Sequence, residues 1–270
     1  MNNKEIILEY MNKCIGNGFP FPNYIINTSK ELDKLKKCNK KNSNVAMKLI
    51  YNYHPSIWLA NKKGFLSPYS AWYDNNKLYE CIKNRLKYKG EQLNPSDILY
   101  GFSASHIAPK ISIFRPSLAK YLITKYLNNY SEIFDPCSGY SGRLLGATAL
   151  NKKYIGQDIN IVTVYESQNL IDSLNLKNCF VHNRNSIATK GDYECLFTCS
   201  PYSDKENWNQ SIENLSCDEW IDICLKNYNC SAYLFVVDNT IKYQKYIVEE
   251  IINRSHFSTS SEKIILIIRK

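Results

Sequence analysis

The stretch Ser131-Glu-Ile-Phe-Asp135-Pro-Cys-Ser-Gly139-Tyr-Ser-Gly142-Arg143 decides how the rest of the chain is read. Ser131 to Phe134 is a short apolar run of strand character. A glycine-bearing turn follows, and then a helix pattern from Arg143 to Leu150. From about residue 114 onward the same alternation repeats. Strands are expected at Tyr154–Asp158, Cys179–Val181, Cys195–Thr198, Tyr233–Val237 and Lys263–Ile268. Helices are expected at about Val162–Leu174, Asp218–Tyr228 and Tyr243–Asn253. Strands separated by helices of this length imply crossover connections and an α/β fold with a mostly parallel sheet and helices on both faces. In such a sheet a ligand binds beyond the carboxyl ends of the strands.

Three stations stand at those ends. The first is Asp135-Pro136-Cys-Ser-Gly139-Tyr-Ser-Gly142, where glycine permits a tight turn and a close approach of ligand to backbone. The loop has neither the Lys-Ser/Thr pair of a P-loop nor the G-x-G-x-x-G spacing of a dinucleotide site. Its leading acid would repel phosphate but suits a ligand that carries an ammonium and a sulfonium. The second station is Asp158, where a carboxylate can accept from both hydroxyls of a ribose; a helix cap is the competing reading. The third is Thr198-Cys199-Ser200-Pro201-Tyr202. A proline turn with backbone carbonyls can grip both N–H bonds of a base's amino group while a tyrosine ring stacks on the base.

With these residues in hand, the chain resembles the amino-methyltransferases of DNA, in particular those of bacteria and phages. Asp135-Pro136-x-x-Gly139 looks like their S-adenosylmethionine loop. Cys199-Ser200-Pro201-Tyr202 looks like their catalytic tetrapeptide, with Cys199 and Ser200 departing from it, since the family has Asp, Asn or Ser and then Pro there. Phe114-Arg-Pro116 sits where the family has another cofactor-contacting segment. The resemblance covers roughly residues 110–270 and implies a class I methyltransferase-like, Rossmann-type domain. It implies S-adenosylmethionine as cofactor, with Asp135, Gly139 and Gly142 toward the methionine end, Asp158 on the ribose, and Asn185 or Ser186 facing the adenine. The methyl would pass to adenine N6 or cytosine N4 of a flipped base in DNA, and a restriction endonuclease is the partner such an enzyme implies. RNA as the substrate, or a non-catalytic binding protein on the same fold, are the alternatives. Covalent attack by Cys199 as in C5-cytosine methylation is disfavoured, because that chemistry wants a cysteine directly after a proline.

The remaining 109 N-terminal residues are expected to form a mainly helical region, basic and aromatic. Lys36, Lys37, Lys40 and Lys41 lie close together, and Tyr51, Tyr53, His54, Trp58, Phe65, Tyr69 and Trp72 follow. This region is the candidate for nucleic-acid contact, with the four lysines on phosphates; a solvated face that merely covers the sheet is the plain alternative. The net charge of +9 and the 21 tyrosines favour a polyanionic, stackable partner. Ten cysteines show no C-x-x-C pair and the four histidines are scattered, so no metal is expected. No run is long and apolar enough to span a membrane, and Glu5 and Glu9 stand where a signal peptide would be apolar. A cytoplasmic protein is therefore expected.

Overall fold

The computed structural model describes residues 3–16, 21, 27–60, 64–109, 111, 113–199, 216–238, 248–252 and 262–268. In chain order its helices are α1 (Asn3–Ile15), α2 (Thr28–Lys37), α3 (Met47–Tyr53), α4 (Pro68–Tyr73), α5 (Asn75–Lys89), α6 (Pro95–Ala104), α7 (Pro116–Tyr126), α8 (Gly142–Thr148), α9 (Ile161–Ser173) and α10 (Cys217–Asn227), with a 3-10 turn at Pro55–Leu59. The strands are β1 (Glu132–Asp135), β2 (Lys153–Asp158), β3 (Cys179–Asn183), β4 (Gly191–Cys199), β5 (Tyr228–Asp238), β6 (Val248–Ile252) and β7 (Glu262–Ile268).

The chain divides into two compact units. One joins Met1–Ile25 to Pro55–Ser112; the other joins Ile26–His54 to Ile113–Lys270. The first is helical. Its core gathers Trp72, Leu78, Ile82, Ile98 and Phe102, all without exposure, against Ile6, Ile7 and Tyr10 of α1. Sequence shows how its helices start: Ser67 and Asp74 cap α4 and α5, and Asn94 with Asp97 forms a capping box at α6 behind Pro95. The second unit holds α2 and α3 as well as the sheet, so the segment that carries the four lysines groups with the sheet.

The sheet has seven strands in the order β3-β2-β1-β4-β5-β7-β6. β1 to β5 pair in parallel, whereas β7 runs antiparallel to both β5 and β6. That order, with a reversed β7, is the Rossmann-like sheet of class I methyltransferases. Successive side chains on a strand face opposite sides, and both sides here are covered. Phe134, Leu196, Tyr233, Phe235 and Val237 point one way and pack on Trp220, Ile221 and Cys224 of α10. The alternate positions point the other way, where Phe197 meets the ring of Phe114 edge-on at 5.7 Å. Tyr233 to Val237 are buried without a break, as a central strand covered on both faces requires.

One element departs from expectation. The helix anticipated over Tyr243–Asn253 is strand β6 where it is described, at Val248–Ile252; residues 243–247 and 253 lie outside the described residues. Val248, Ile251 and Ile252 are spaced three and four apart, which reads as a helix face. This segment is instead paired antiparallel with β7, with a register shift between Val248 and Glu250. Tertiary pairing overrides the local pattern here.

Candidate functional site

The carboxyl ends of β1, β2 and β4 meet around the loop 135–142. Parallel pairing brings them there: Phe134 lies beside Ile155 of β2 and Leu196 of β4, so the turns that follow are neighbours.

Asp135 has no exposure, and its carboxylate is bound entirely by the chain. Oδ2 accepts from Arg143 Nε at 2.6 Å and from Tyr154 OH at 2.7 Å. Oδ1 accepts from Thr198 Oγ1 at 3.1 Å, the Cys137 N–H at 3.2 Å and Arg143 Nη2 at 3.3 Å. Arg143 also donates to the Cys137 carbonyl, and its guanidinium lies 5.1 Å from the Phe114 ring centre. Burial works against the charge of Arg143, but the Asp135 carboxylate together with Cys199 and Tyr154 outweighs it and the pKa is raised. Burial, followed by that same carboxylate, pushes the Tyr154 phenol up well out of the titrating range. A buried ion pair of this kind is a structural fixture, because removing one partner strands the other. Asp135 thus ties β1, β2, β4 and α8 together, and Thr198 fixes the end of β4, whose last residue is Cys199.

Gly139 and Asp158 form the second junction. Gly139 adopts φ +53°, and a Cβ at that position would meet open space. Its N–H donates to Asp158 Oδ2 at 2.9 Å, while Asn160 N–H donates to Oδ1 at 2.9 Å. Asp158 is half-buried. Desolvation raises its pKa, against the pull of the two backbone N–H groups. Asn183 of β3 donates to the carbonyls of Asp158 and Ile159 at 3.0 and 2.8 Å, which fixes the strand end. Beside this junction Ser138 is 2% exposed, and its hydroxyl has no partner among the described residues. Gly156 makes room for it, since a Cβ there would stand 2.9 Å from Ser138 Cβ.

The other expected residues fall into place around these two junctions. Gly142 starts α8 against the Phe114 carbonyl; a Cβ would sit 1.9 Å from that oxygen, so only glycine allows the approach. Phe114 and Pro116 are buried, Pro116 at the first turn of α7. Pro136 is buried, and its carbonyl accepts from the Ser186 hydroxyl, which therefore turns inward and ties the loop after β3 to the loop after β1. Asn185 is exposed, and its side chain accepts from Ile187 N–H at 3.0 Å in a local turn. Cys199 is 8% exposed and pairs with Val236 at the end of β4. Ser200, Pro201 and Tyr202 lie outside the described residues.

The lysine cluster is organised by α7. Lys120 Nζ donates to the carbonyls of Leu35, Lys36 and Cys38 at 3.2, 2.5 and 2.9 Å, closing the end of α2. Ser117 holds Ser43 through its N–H at 2.9 Å and its carbonyl at 2.8 Å. Lys36, Lys37 and Lys40 are exposed, and Lys41 Nζ stands 5.1 Å from the Tyr121 ring centre. Lys36 also faces Asp33 at 3.6 Å, an exposed contact of little energetic weight. Among the described residues no group of His, Cys, Asp and Glu could hold a metal ion, and no helix is long and apolar enough to cross a membrane.

Ser138 and Arg143 belong to the stretch singled out in the sequence, but no role can be read for them there, and His54 reads only as part of the aromatic N-terminal region. Arg143 closes that stretch and opens a helix in the sequence, with nothing to show that it folds back on Asp135. Ser138 carries no motif, and His54 stands 87 residues from the serine it touches.

No family model and no curated protein sequence matches the chain. Solved structures do resemble it. A protein provisionally described as a methyltransferase, from Escherichia coli, has 12% identity and a TM-score of 0.44, over 60% of this chain and 92% of that one. One provisionally described as a methylase, from Haemophilus influenzae, has 12% identity and a TM-score of 0.41, over 56% and 99%. An rRNA methylase from Streptococcus thermophilus has 10% identity and a TM-score of 0.40, over 59% and 99%. Likeness at this level carries no activity from one chain to another, and the fold assignment stands on the strand order.

Proposed function

We propose that the chain is an S-adenosylmethionine-dependent methyltransferase acting on an exocyclic amino group of a base, adenine N6 or cytosine N4, in DNA. One observation carries the reading: the Gly139 N–H on the Asp158 carboxylate, which joins the loop after β1 to the end of β2 beneath an open position. A nucleoside ribose presents two adjacent hydroxyls, and each Asp158 oxygen keeps lone-pair capacity beyond its one backbone N–H. The open side of Gly139 fits a polar ligand laid along this loop.

Bound S-adenosylmethionine supplies a methyl group on a cationic sulfur, ready for displacement by a nitrogen lone pair. The chain's part is to hold and to orient. Asp158 accepts from the ribose. Gly139 lets the ligand approach the backbone. Asp135 and Arg143 keep the loop rigid, so the binding geometry is paid for in folding. Cys199 is the last residue of the strand that Thr198 fixes to Asp135, so the tetrapeptide Cys199–Tyr202 starts next to the loop. Its backbone carbonyls near Ser200 and Pro201 would draw the amino group toward tetrahedral geometry, with Tyr202 stacked on the extruded base. The proton leaves the cationic product amine after transfer, so no general base is needed first.

The test is labelled S-adenosylmethionine with unmethylated DNA and, separately, RNA, followed by nucleoside mass spectrometry, with Tyr202→Ala alongside. Methylated adenine or cytosine from DNA, lost in the variant, supports the reading. Product from RNA alone replaces the substrate. No product from either, with cofactor bound, leaves a binding protein on a methyltransferase fold.

A further inference from the structure

His54 follows α3 and has no exposure. Its Nδ1 lies 3.2 Å from Glu166 Oε2, and its Nε2 lies 2.9 Å from Ser141 Oγ. Ser141 Oγ is also hydrogen-bonded to Ser167 Oγ at 2.9 Å. Glu166 and Ser167 are neighbours on α9, whereas Ser141 sits in the turn between β1 and α8. Glu166, Ser141 and Ser167 are 5%, 1% and 0% exposed. Buried imidazole and carboxylate groups are costly unless each has a partner, and these two satisfy one another.

The order Ser141–His54–Glu166 is that of a hydrolytic triad. With Ser141 buried, no substrate carbonyl can reach its oxygen, so nucleophilic attack is not its work. Its backbone shows what is. Ser141 has φ +60° and ψ 12°, a left-handed conformation that favours glycine. It stands at the N-cap of α8 yet makes no capping hydrogen bond, since its hydroxyl donates to Ser167 Oγ and is bonded to His54 Nε2. The residue held this way lies between Gly139, whose N–H meets Asp158, and Gly142, which presses on the Phe114 carbonyl.

We propose that His54, oriented by Glu166, is a positioning residue for the cofactor loop: it clamps Ser141 in its left-handed conformation and so fixes the path of residues 139–142. What the loop binds rests on the function proposed above; the clamp itself does not. The ring edge of His54 against Tyr140, at 5.6 Å and 77°, holds a second residue of the same turn.

The test uses the full chain in two backgrounds, wild type and Ser141→Gly, with His54→Ala in each. The readouts are hydrogen exchange of the 139–145 amides and S-adenosylmethionine affinity by calorimetry. His54→Ala is expected to speed exchange in that segment and to weaken binding roughly tenfold, the scale on which a released left-handed residue counts. Exchange in β5 and in α5 should stay as it was. In the Ser141→Gly background the same change should cost less than about twofold, because glycine needs no clamp. Equal losses in both backgrounds, or no change in exchange, overturn the proposal and leave His54 as a space-filling core residue. If His54→Ala does not fold, Glu166→Gln decides by the same readouts: faster 139–145 exchange supports the clamp, and unchanged exchange refutes it. If wild type binds no S-adenosylmethionine, the functional reading fails while the exchange data still decide the clamp.

Discussion

On the proposed function, Asp158 is the residue that would hold the ribose of the cofactor. Its two oxygens each accept one backbone N–H, from Gly139 and Asn160, and its pKa is raised because burial outweighs them. The folded chain therefore disfavours the ionised form. Its contribution to stability declines as pH rises from the ordinary carboxylate value through its own folded value. If Asp158 holds the ribose as proposed, cofactor affinity runs the other way, since ribose hydroxyls would donate to the ionised carboxylate: it is predicted to fall as pH drops through that folded value, beginning above the usual carboxylate pKa of about 4. Calorimetry across this range should show the fall in wild type and none in Asp158→Asn. That variant should bind at least about tenfold more weakly at neutral pH, as the loss of a charge-assisted acceptor implies. Arg143 gives a second prediction. Replacing it with Leu leaves Asp135 buried and unpaired and should cost about 3–5 kcal/mol in urea denaturation, far more than a surface arginine. Asp135 and Asp158 stand out in the sequence as acids at strand ends, but the sequence reading turns Asp135 toward a ligand's ammonium, whereas its carboxylate is buried and bound by the chain. Their partners do not stand out: nothing in the order of residues says that Arg143 folds back on Asp135, or that Ser186 turns toward Pro136 while Asn185 faces out.

At the scale of elements, α7 and α8 owe their contact to two small positions. A Cβ at Gly142 would fall 1.9 Å from the Phe114 carbonyl, and one at Gly146 2.5 Å from the Ala119 Cβ. Gly142→Ala should therefore push α8 off α7 and destabilise the unit by about 1–3 kcal/mol, with weaker cofactor binding as the loop shifts. An unchanged melting temperature and affinity would show that the backbone gives way at no cost. The sequence made the parallel core readable, because each strand is a compact apolar run with a turn after it. It misread β6, where Val248, Ile251 and Ile252 mimic a helix face and only pairing with β7 shows a bulged strand. The anchoring of α2 by Lys120 was beyond reading too, since it joins residues more than eighty positions apart.

The whole molecule carries a net charge of +9, and part of it is gathered on one organised segment. Lys36, Lys37, Lys40 and Lys41 belong to the unit that holds the sheet, between the end of α2 and the residues that Ser117 grips. Exchanging all four for Gln should lower the slope of log affinity against log salt on duplex DNA by up to about 3.6, at 0.9 per phosphate contact. An unchanged slope would remove the cluster from the interface. Any action on DNA rests first on the proposed site for S-adenosylmethionine where the β1 loop meets the end of β2. It is tested most directly by titrating the full chain with that cofactor in a calorimeter, beside NAD as the rival nucleoside ligand and with Asp158→Asn as control. Micromolar, one-to-one binding of S-adenosylmethionine, weakened in the variant and not matched by NAD, is the predicted result. A folded chain that binds neither, or that prefers NAD, would contradict it.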